Sequence, residues 1–231
     1  MARLPAYSGG FSLKNRRIVL WRHGRTAWNS INRFQGQEDV PLDEVGLDQV
    51  RRAAQTLIGL KPTKIVSSDL ARARVTAESL ASLAGLTVST DPDLRETFAG
   101  VWQGLTRSEI IERFPQEFAA WGGDSDVRPG GGETRLEVAD RVTRAIERAL
   151  NDVPENGTLV IASHGGALRA GLGRLLGLAP AQWAALGVLA NAQWTVLTEL
   201  DELTPRPVDL NWRLQEYNAG SLPEPAMGDD Q

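Results

Sequence analysis

The 231-residue chain contains no cysteine, which excludes disulfides, thiolate zinc sites and a cysteine nucleophile. Lysine is almost missing too. Lys14, Lys61 and Lys64 are the only lysines among 25 basic residues, which leaves no candidate for the lysine of a phosphate-binding loop. Positive charge is not in excess: the net charge is −4, whereas a nucleic-acid binder would normally carry a basic face. Long apolar runs are absent. No window approaches the roughly 18 apolar residues of a membrane span, and residues 1–15 lack the apolar stretch of a signal peptide. The expectation is a soluble cytoplasmic protein with no nucleic-acid or membrane partner. Its single domain spans 16–218, between a flexible arm (1–15) and a flexible acidic tail (219–231).

Within those limits, short apolar runs alternate with amphipathic stretches. Arg17–Trp21, Lys64–Val66 and Thr158–Ala162 are apolar and β-branched and read as buried strands, with weaker strands at Thr87–Ser89, Gln193–Leu197 and Trp212–Leu214. Helices are expected over 45–59, with a stripe of Val45, Val50, Ala54, Leu57 and Ile58, and over 70–84, stopped at Gly85. Thr106 and Glu109 have capping-box spacing for a short helix ended by Pro115. A long helix is expected over 133–150 and another over 166–176. The alternation predicts an α/β fold: a three-layer sandwich whose mostly parallel central sheet is flanked by helices. In such sheets ligands bind beyond the carboxyl ends of the strands.

Both of the chain's two histidines sit at such ends. Arg22-His23-Gly24 follows the first strand, and His164-Gly165-Gly166 follows Thr158–Ser163. If the two strands are adjacent and parallel, both imidazoles meet at one rim. The glycines would let backbone approach a ligand, and the helix after His164 would offer N–H groups to an anion. Two histidines without a third ligand rarely hold a catalytic metal, so neither metal nor cofactor is expected.

At this point the residues resemble a known family. Arg22-His23-Gly24-Arg25-Thr26-Ala27-Trp28-Asn29 is similar to the R-H-G-x-T-x-x-N opening of the histidine phosphatase superfamily, which has the phosphoglycerate mutase-like fold. Five further segments follow in the family's order: Arg33-Phe34-Gln35-Gly36, Ser67–Ala73, Leu94-Arg95-Glu96 with Gly100–Gly104, Gly131–Thr134, and Ser163–Gly166. Together they cover about 17–200.

The resemblance implies roles. His23 would be the nucleophile and would be transiently phosphorylated. Arg22 and Arg72 would clamp the phosphoryl group with forks that match its oxygens, and His164 would be a third charged or donating group. Asn29, Gln35 and Gly165 would add donors. Arg74, two positions from Arg72 on the same predicted helix, points elsewhere. Glu96 would give a proton to the leaving alkoxide and take one from water. Without the motif, Glu96 reads as a surface partner of Arg95 or Arg107. Glu133 reads as a first-turn acid of the long helix. Arg25 stands where many members have Glu or Gln, so it would either favour a substrate with an extra carboxylate or point to solvent.

The expected activity is metal-independent hydrolysis of a small phosphorylated metabolite. Trp183–Gly187 with Asn191–Thr195 resembles the actinobacterial glucosyl-3-phosphoglycerate phosphatases within that family, which implies that substrate and a homodimer. The Lys-, Tyr- and Pro-rich insertion usual in cofactor-dependent mutases is absent after Glu96. Alternatives are a broad-specificity acid or sugar phosphatase, a mutase, or a silent phospho-ligand binder on the same fold. A nucleotide-binding module is weaker, because the glycines at 122–123 and 130–132 are not followed by Lys-Ser/Thr.

Overall fold

The computed structural model describes residues 15–123, 126–200 and 210–220. Residues 1–14 of the expected arm (1–15), the Pro-rich connection at 201–209 and residues 221–231 of the expected tail (219–231) lie outside the described residues. Strand β1 (Arg17–Arg22) occupies the middle of the molecule, and its neighbours explain its composition. On one side it pairs in parallel with β4 (Thr158–Ser163), on the other antiparallel with β5 (Trp194–Glu199). A strand covered on both faces is apolar through its interior, and Ile18, Val19, Leu20 and Trp21 are all fully buried.

With β2 (Lys64–Ser67), β3 (Val88–Thr90) and β6 (Trp212–Ala219), one six-stranded sheet forms among the described residues in the order β3-β2-β4-β1-β5-β6. The first four strands are parallel, β5 runs antiparallel to β1, and β6 runs antiparallel to β5. The expected mostly parallel sandwich is therefore what the chain forms.

Alternation along β1 assigns its side chains to two cores. Ile18 and Leu20 join Leu159 and Ile161 against α6 (Arg135–Leu150) and α7 (Gly165–Leu175), through Val138, Val142, Ile146, Leu168 and Leu172. Val19 and Trp21 face α2 (Glu44–Leu57) and α3 (Ala71–Ala84), which present Val50, Ala54, Leu57, Ala77 and Leu80. Each such side chain contributes about 1.5–3 kcal/mol on burial. An exposed pair such as Arg51–Asp48 contributes about 1 kcal/mol or less, so the two apolar layers hold the fold.

Local signals behave mostly as expected. Gly85 ends α3 in the left-handed region, at φ 66°. Thr106 and Glu109 form the capping box of α4 (Arg107–Arg113). Four differences matter. Val45 is 41% exposed, because it lies in the first turn of α2 outside the stripe of Val50, Ala54 and Leu57. Pro115 ends one helix and also opens another, α5 (Pro115–Gly123), since a proline that interrupts a helix is at home in a first turn. Phe114, Phe118 and Trp121 then pack with Phe34 and Trp102 in a third apolar cluster. The long helix starts at Arg135 with Thr134 as its N-cap and Glu137 completing the box, so Glu133 lies outside it. Finally, β6 runs to Ala219, which pairs with Trp194, so the sheet extends to the first residue of the expected tail.

Candidate active site

Three strand ends meet at one rim. Arg22 lies opposite Ser163 in the β1–β4 register, and Ser67 lies opposite Ala162 in the β2–β4 register. The next residues, His23, His164 and Ser68, therefore emerge side by side. The His23 N–H donates to the Ser163 carbonyl at 3.0 Å, and the Ser68 N–H to that of Ala162 at 2.9 Å. The two imidazole centroids are 5.2 Å apart, inclined at 61°.

The His23 ring is held in one orientation. Its Nδ1 lies 2.7 Å from the Gly24 carbonyl oxygen, which can only accept, so Nδ1 carries the proton and Nε2 keeps its lone pair. Burial pushes the His23 pKa well below its ordinary value, and the charges of Arg72 and Arg22 push in the same direction, outweighing the Gly24 carbonyl. Burial thus leads, ahead of the arginines. His164 is depressed likewise, first by burial and then by Arg72. Both effects favour its neutral form. Its Nε2 is 2.9 Å from Ser68 Oγ, while its buried Nδ1 has no protein partner.

Gly24 meets a packing constraint as well. A Cβ there would lie 2.6 Å from the Gly46 carbonyl oxygen and 2.7 Å from Val50 Cγ1. The glycine admits α2 against the strand end.

The two arginines are buried and braced by carbonyls. Arg22 Nη1 donates to the Leu189 oxygen at 2.5 Å. Arg72, on the first turn of α3, donates through Nη1 to Glu38 O and through Nη2 to Gly36 O, both at 2.7 Å. Arg74 is turned to the surface, where it pairs with Glu78 at 2.9 Å.

Asn29, in the one-turn helix α1 (Ala27–Ser30), and Gln35 meet at its N-cap Thr26, whose Oγ1 is 3.0 Å from Asn29 Oδ1 and 3.1 Å from Gln35 Oε1. Asn29 Oδ1 also accepts from the Thr26 N–H and from Asn191 Nδ2. Its Nδ2 is buried without a protein partner.

Glu96 is buried and stands apart from Arg95, which forks onto Asp69 at 2.8 and 2.5 Å. Glu96 Oε1 accepts from the N–H groups of Thr97 at 2.9 Å and Ala167 at 2.8 Å, and Oε2 from that of Gly166 at 3.0 Å. Two donors at the start of α7, expected to face a ligand, therefore hold the Glu96 carboxyl. Gly165 opens α7 directly after His164.

Arg25 does not join the cluster. Its Nε donates to Asp43 Oδ2 at 2.9 Å, and Asp43 also caps α2, so the expected extra cation is already neutralised. Glu133 is corrected as well: it binds Arg141 through both carboxyl oxygens at 2.9 Å. Ser68, Arg141 and Asn191 escaped the sequence reading. Ser68 and Asn191 lay inside recognised segments without a role of their own, whereas Arg141 has no linear signal, since its partners on the Glu96 loop are far away in the chain.

Paired buried imidazoles with buried guanidiniums and a buried carboxyl are an arrangement suited to a dianionic group. Residues 18–220 match the model of the histidine phosphatase superfamily, branch 1, and the chain belongs to that superfamily; it is a phosphatase. A glucosyl-3-phosphoglycerate phosphatase of Mycolicibacterium vanbaalenii is 38% identical over 218 residues, which cover 90% of this chain and 97% of the relative. The structure of a mycobacterial glucosyl-3-phosphoglycerate phosphatase in complex with VO3 superposes with a TM-score of 0.80 at 40% identity. That match covers 89% of this chain and 100% of the other. A probable phosphoglycerate mutase of Yersinia pestis is 37% identical over 166 residues, covering 70% of this chain and 75% of that one.

Proposed function

We propose that the chain hydrolyses glucosyl-3-phosphoglycerate in two displacements at His23. The observation that carries this reading is the 2.7 Å contact between His23 Nδ1 and the Gly24 carbonyl, which leaves Nε2 as an unprotonated nucleophile. In the first step a bond forms from Nε2 to phosphorus and the bond from phosphorus to the alkoxide oxygen breaks. Glu96 supplies the proton that the alkoxide needs. Oε2 is the oxygen suited to carry it, since it accepts one backbone hydrogen bond where Oε1 accepts two. In the second step water attacks phosphorus, the N–P bond breaks and the water proton returns to Glu96, which restores the enzyme.

Arg22 and Arg72 supply the fixed charge for the equatorial oxygens, so the steps need no metal. Ser68 Oγ accepts from the Leu70 N–H at 3.3 Å and has its own proton to give to His164 Nε2. With Ser68 donating, His164 carries its proton on Nδ1, a buried donor for the same group. Asn29 Nδ2 and the Gln35 amide are the neutral donors.

Substrate choice rests on the near-complete coverage of the glucosyl-3-phosphoglycerate phosphatases and on the resemblance in 183–195. The relative named as a mutase is matched over a smaller share of its length. The homodimer belongs to this reading by the same resemblance, and the cytoplasmic setting by the lack of long apolar runs in the sequence.

The test is phosphate release in EDTA from glucosyl-3-phosphoglycerate, 3-phosphoglycerate, sugar phosphates and p-nitrophenyl phosphate, with His23→Ala as control. A marked preference for the first, lost in the variant, supports the reading. Equal modest rates on all would return the substrate to the broad-specificity alternative. No release from any, with or without metal, would favour a silent binder.

A further inference from the structure

The Gly130–Thr134 segment and Arg141 take no part in the proposed chemistry, yet both converge on the loop that carries Glu96. Arg141, on the second turn of α6, is buried. Its Nη1 donates to the carbonyls of Asp93 at 2.8 Å and Arg95 at 2.6 Å, and its Nη2 to that of Glu96 at 2.9 Å. Nε and Nη2 also grip the two oxygens of Glu133. Glu133 is itself tied to the loop from the other side. Its N–H donates to Phe98 O at 2.8 Å, and its Oε2 accepts from the Phe98 N–H at 2.8 Å. Gly132 makes this approach possible, since a Cβ there would lie 1.8 Å from Phe98 O.

One guanidinium therefore holds the carbonyls at 93, 95 and 96, and its counter-ion holds both backbone groups of 98. Glu96 is fixed before and after its own Cα.

We propose that Arg141, backed by Glu133, is the positioning residue that sets Glu96 against the leaving-group oxygen. The proposal rests on Glu96 as the proton donor. Only a planar five-donor fork can serve three carbonyls and a carboxylate together; a lysine ammonium in that place keeps the charge that bears on His164 but not the geometry. Misplacing a reacting group by about 1 Å costs on the order of 10²-fold in rate, and here the loss falls on the proton-transfer step.

The experiment compares kcat/KM, which reports the steps up to the first phosphoryl transfer, on two substrates. 3-Phosphoglycerate leaves as an alkoxide that needs a proton; p-nitrophenyl phosphate leaves as a stabilised phenolate that does not. Arg141→Lys is expected to lose about 10²-fold on the first and at least about tenfold less on the second, with Glu96→Gln showing the same leaving-group dependence more strongly.

If Glu96→Gln shows that dependence while Arg141→Lys loses both substrates equally or neither, the positioning role is overturned and the reading of Glu96 stands. If Glu96→Gln shows no dependence, the proton-donor reading falls and the positioning role falls with it. Should Arg141→Lys fail to fold, Glu133→Gln replaces it, with a smaller loss of the same leaving-group dependence expected; equal loss on both substrates, or none, overturns the proposal.

Discussion

Arg22 and Ser163 lie opposite each other in adjacent parallel strands, and that one register places the next residue of each strand, His23 and His164, with ring centroids 5.2 Å apart. A slip of one residue would send the two rings to different faces of the sheet. The site thus depends on the pairing of β1 and β4 as much as on the histidines themselves.

Replacing His23 by Asn, which keeps a polar group but presents no ring nitrogen, should lower kcat by at least about 10³-fold. Acid-sensitive, base-stable phosphoprotein, trapped by rapid mixing of the wild-type enzyme with labelled substrate, should vanish in the variant. Label that persists in His23→Asn would move the nucleophile elsewhere.

Both histidines titrate well below their ordinary value in the folded protein. The unfolded chain therefore binds more protons between the folded pKa values and about 6.5, and stability falls as pH is lowered through that window. Thermal melts below pH 6.5 should show this slope, and the double variant His23→Asn/His164→Asn should flatten it. An unchanged slope in the double variant would assign the acid sensitivity to other groups.

Arg72 and Arg74 separate a buried clamp from a surface charge. Arg72→Leu should cost about 10²–10³-fold in kcat/KM, as removal of an electrostatic stabiliser does. It should also cost about 1–3 kcal/mol of stability, because Gly36 O and Glu38 O lose their donor. Arg74→Ala, which breaks an exposed pair with Glu78, should change stability by about 0.5 kcal/mol or less. Parallel kinetics and denaturation on the two variants check both statements; equal effects would contradict the placement.

Arg25→Ala tests whether this residue reads a substrate carboxylate. With Nε held by Asp43, the ratio of kcat/KM for 3-phosphoglycerate to that for a neutral sugar phosphate should move less than about twofold, and stability by about 1 kcal/mol or less. A large selective loss on the carboxylated substrate would show that the pair opens to meet it.

Gly24→Ala introduces a methyl group 2.6 Å from the Gly46 carbonyl oxygen. Forcing α2 away should cost about 1–3 kcal/mol, which in a chain of this size lowers Tm by about 2–4 °C per kcal/mol. Differential scanning calorimetry measures it directly, and an unaltered Tm would mean that the helix start yields freely.

Local pattern is enough to find the strands that are buried on both faces, the helices with clear stripes and caps, and the identity of the residues at the rim. Those depend on local periodicity and on short motifs: Ile18–Trp21, Thr106 with Glu109, and the two His-Gly steps are each legible within a few positions.

Where charges and donors are satisfied becomes visible only once the chain is folded. Arg25 reads as a free cation until Asp43, at the start of α2, is brought beside it. The N–H groups that open α7 read as an anion site until Glu96, some seventy residues earlier in the chain, takes two of them. Glu133 reads as a helix-start acid until Arg141 turns it toward the Glu96 loop. Hydrogen bonding and ion pairing act over a few ångströms between residues that the chain separates widely, so no linear pattern records them; the packing of α6 and α7 against one face of the sheet brings those groups together.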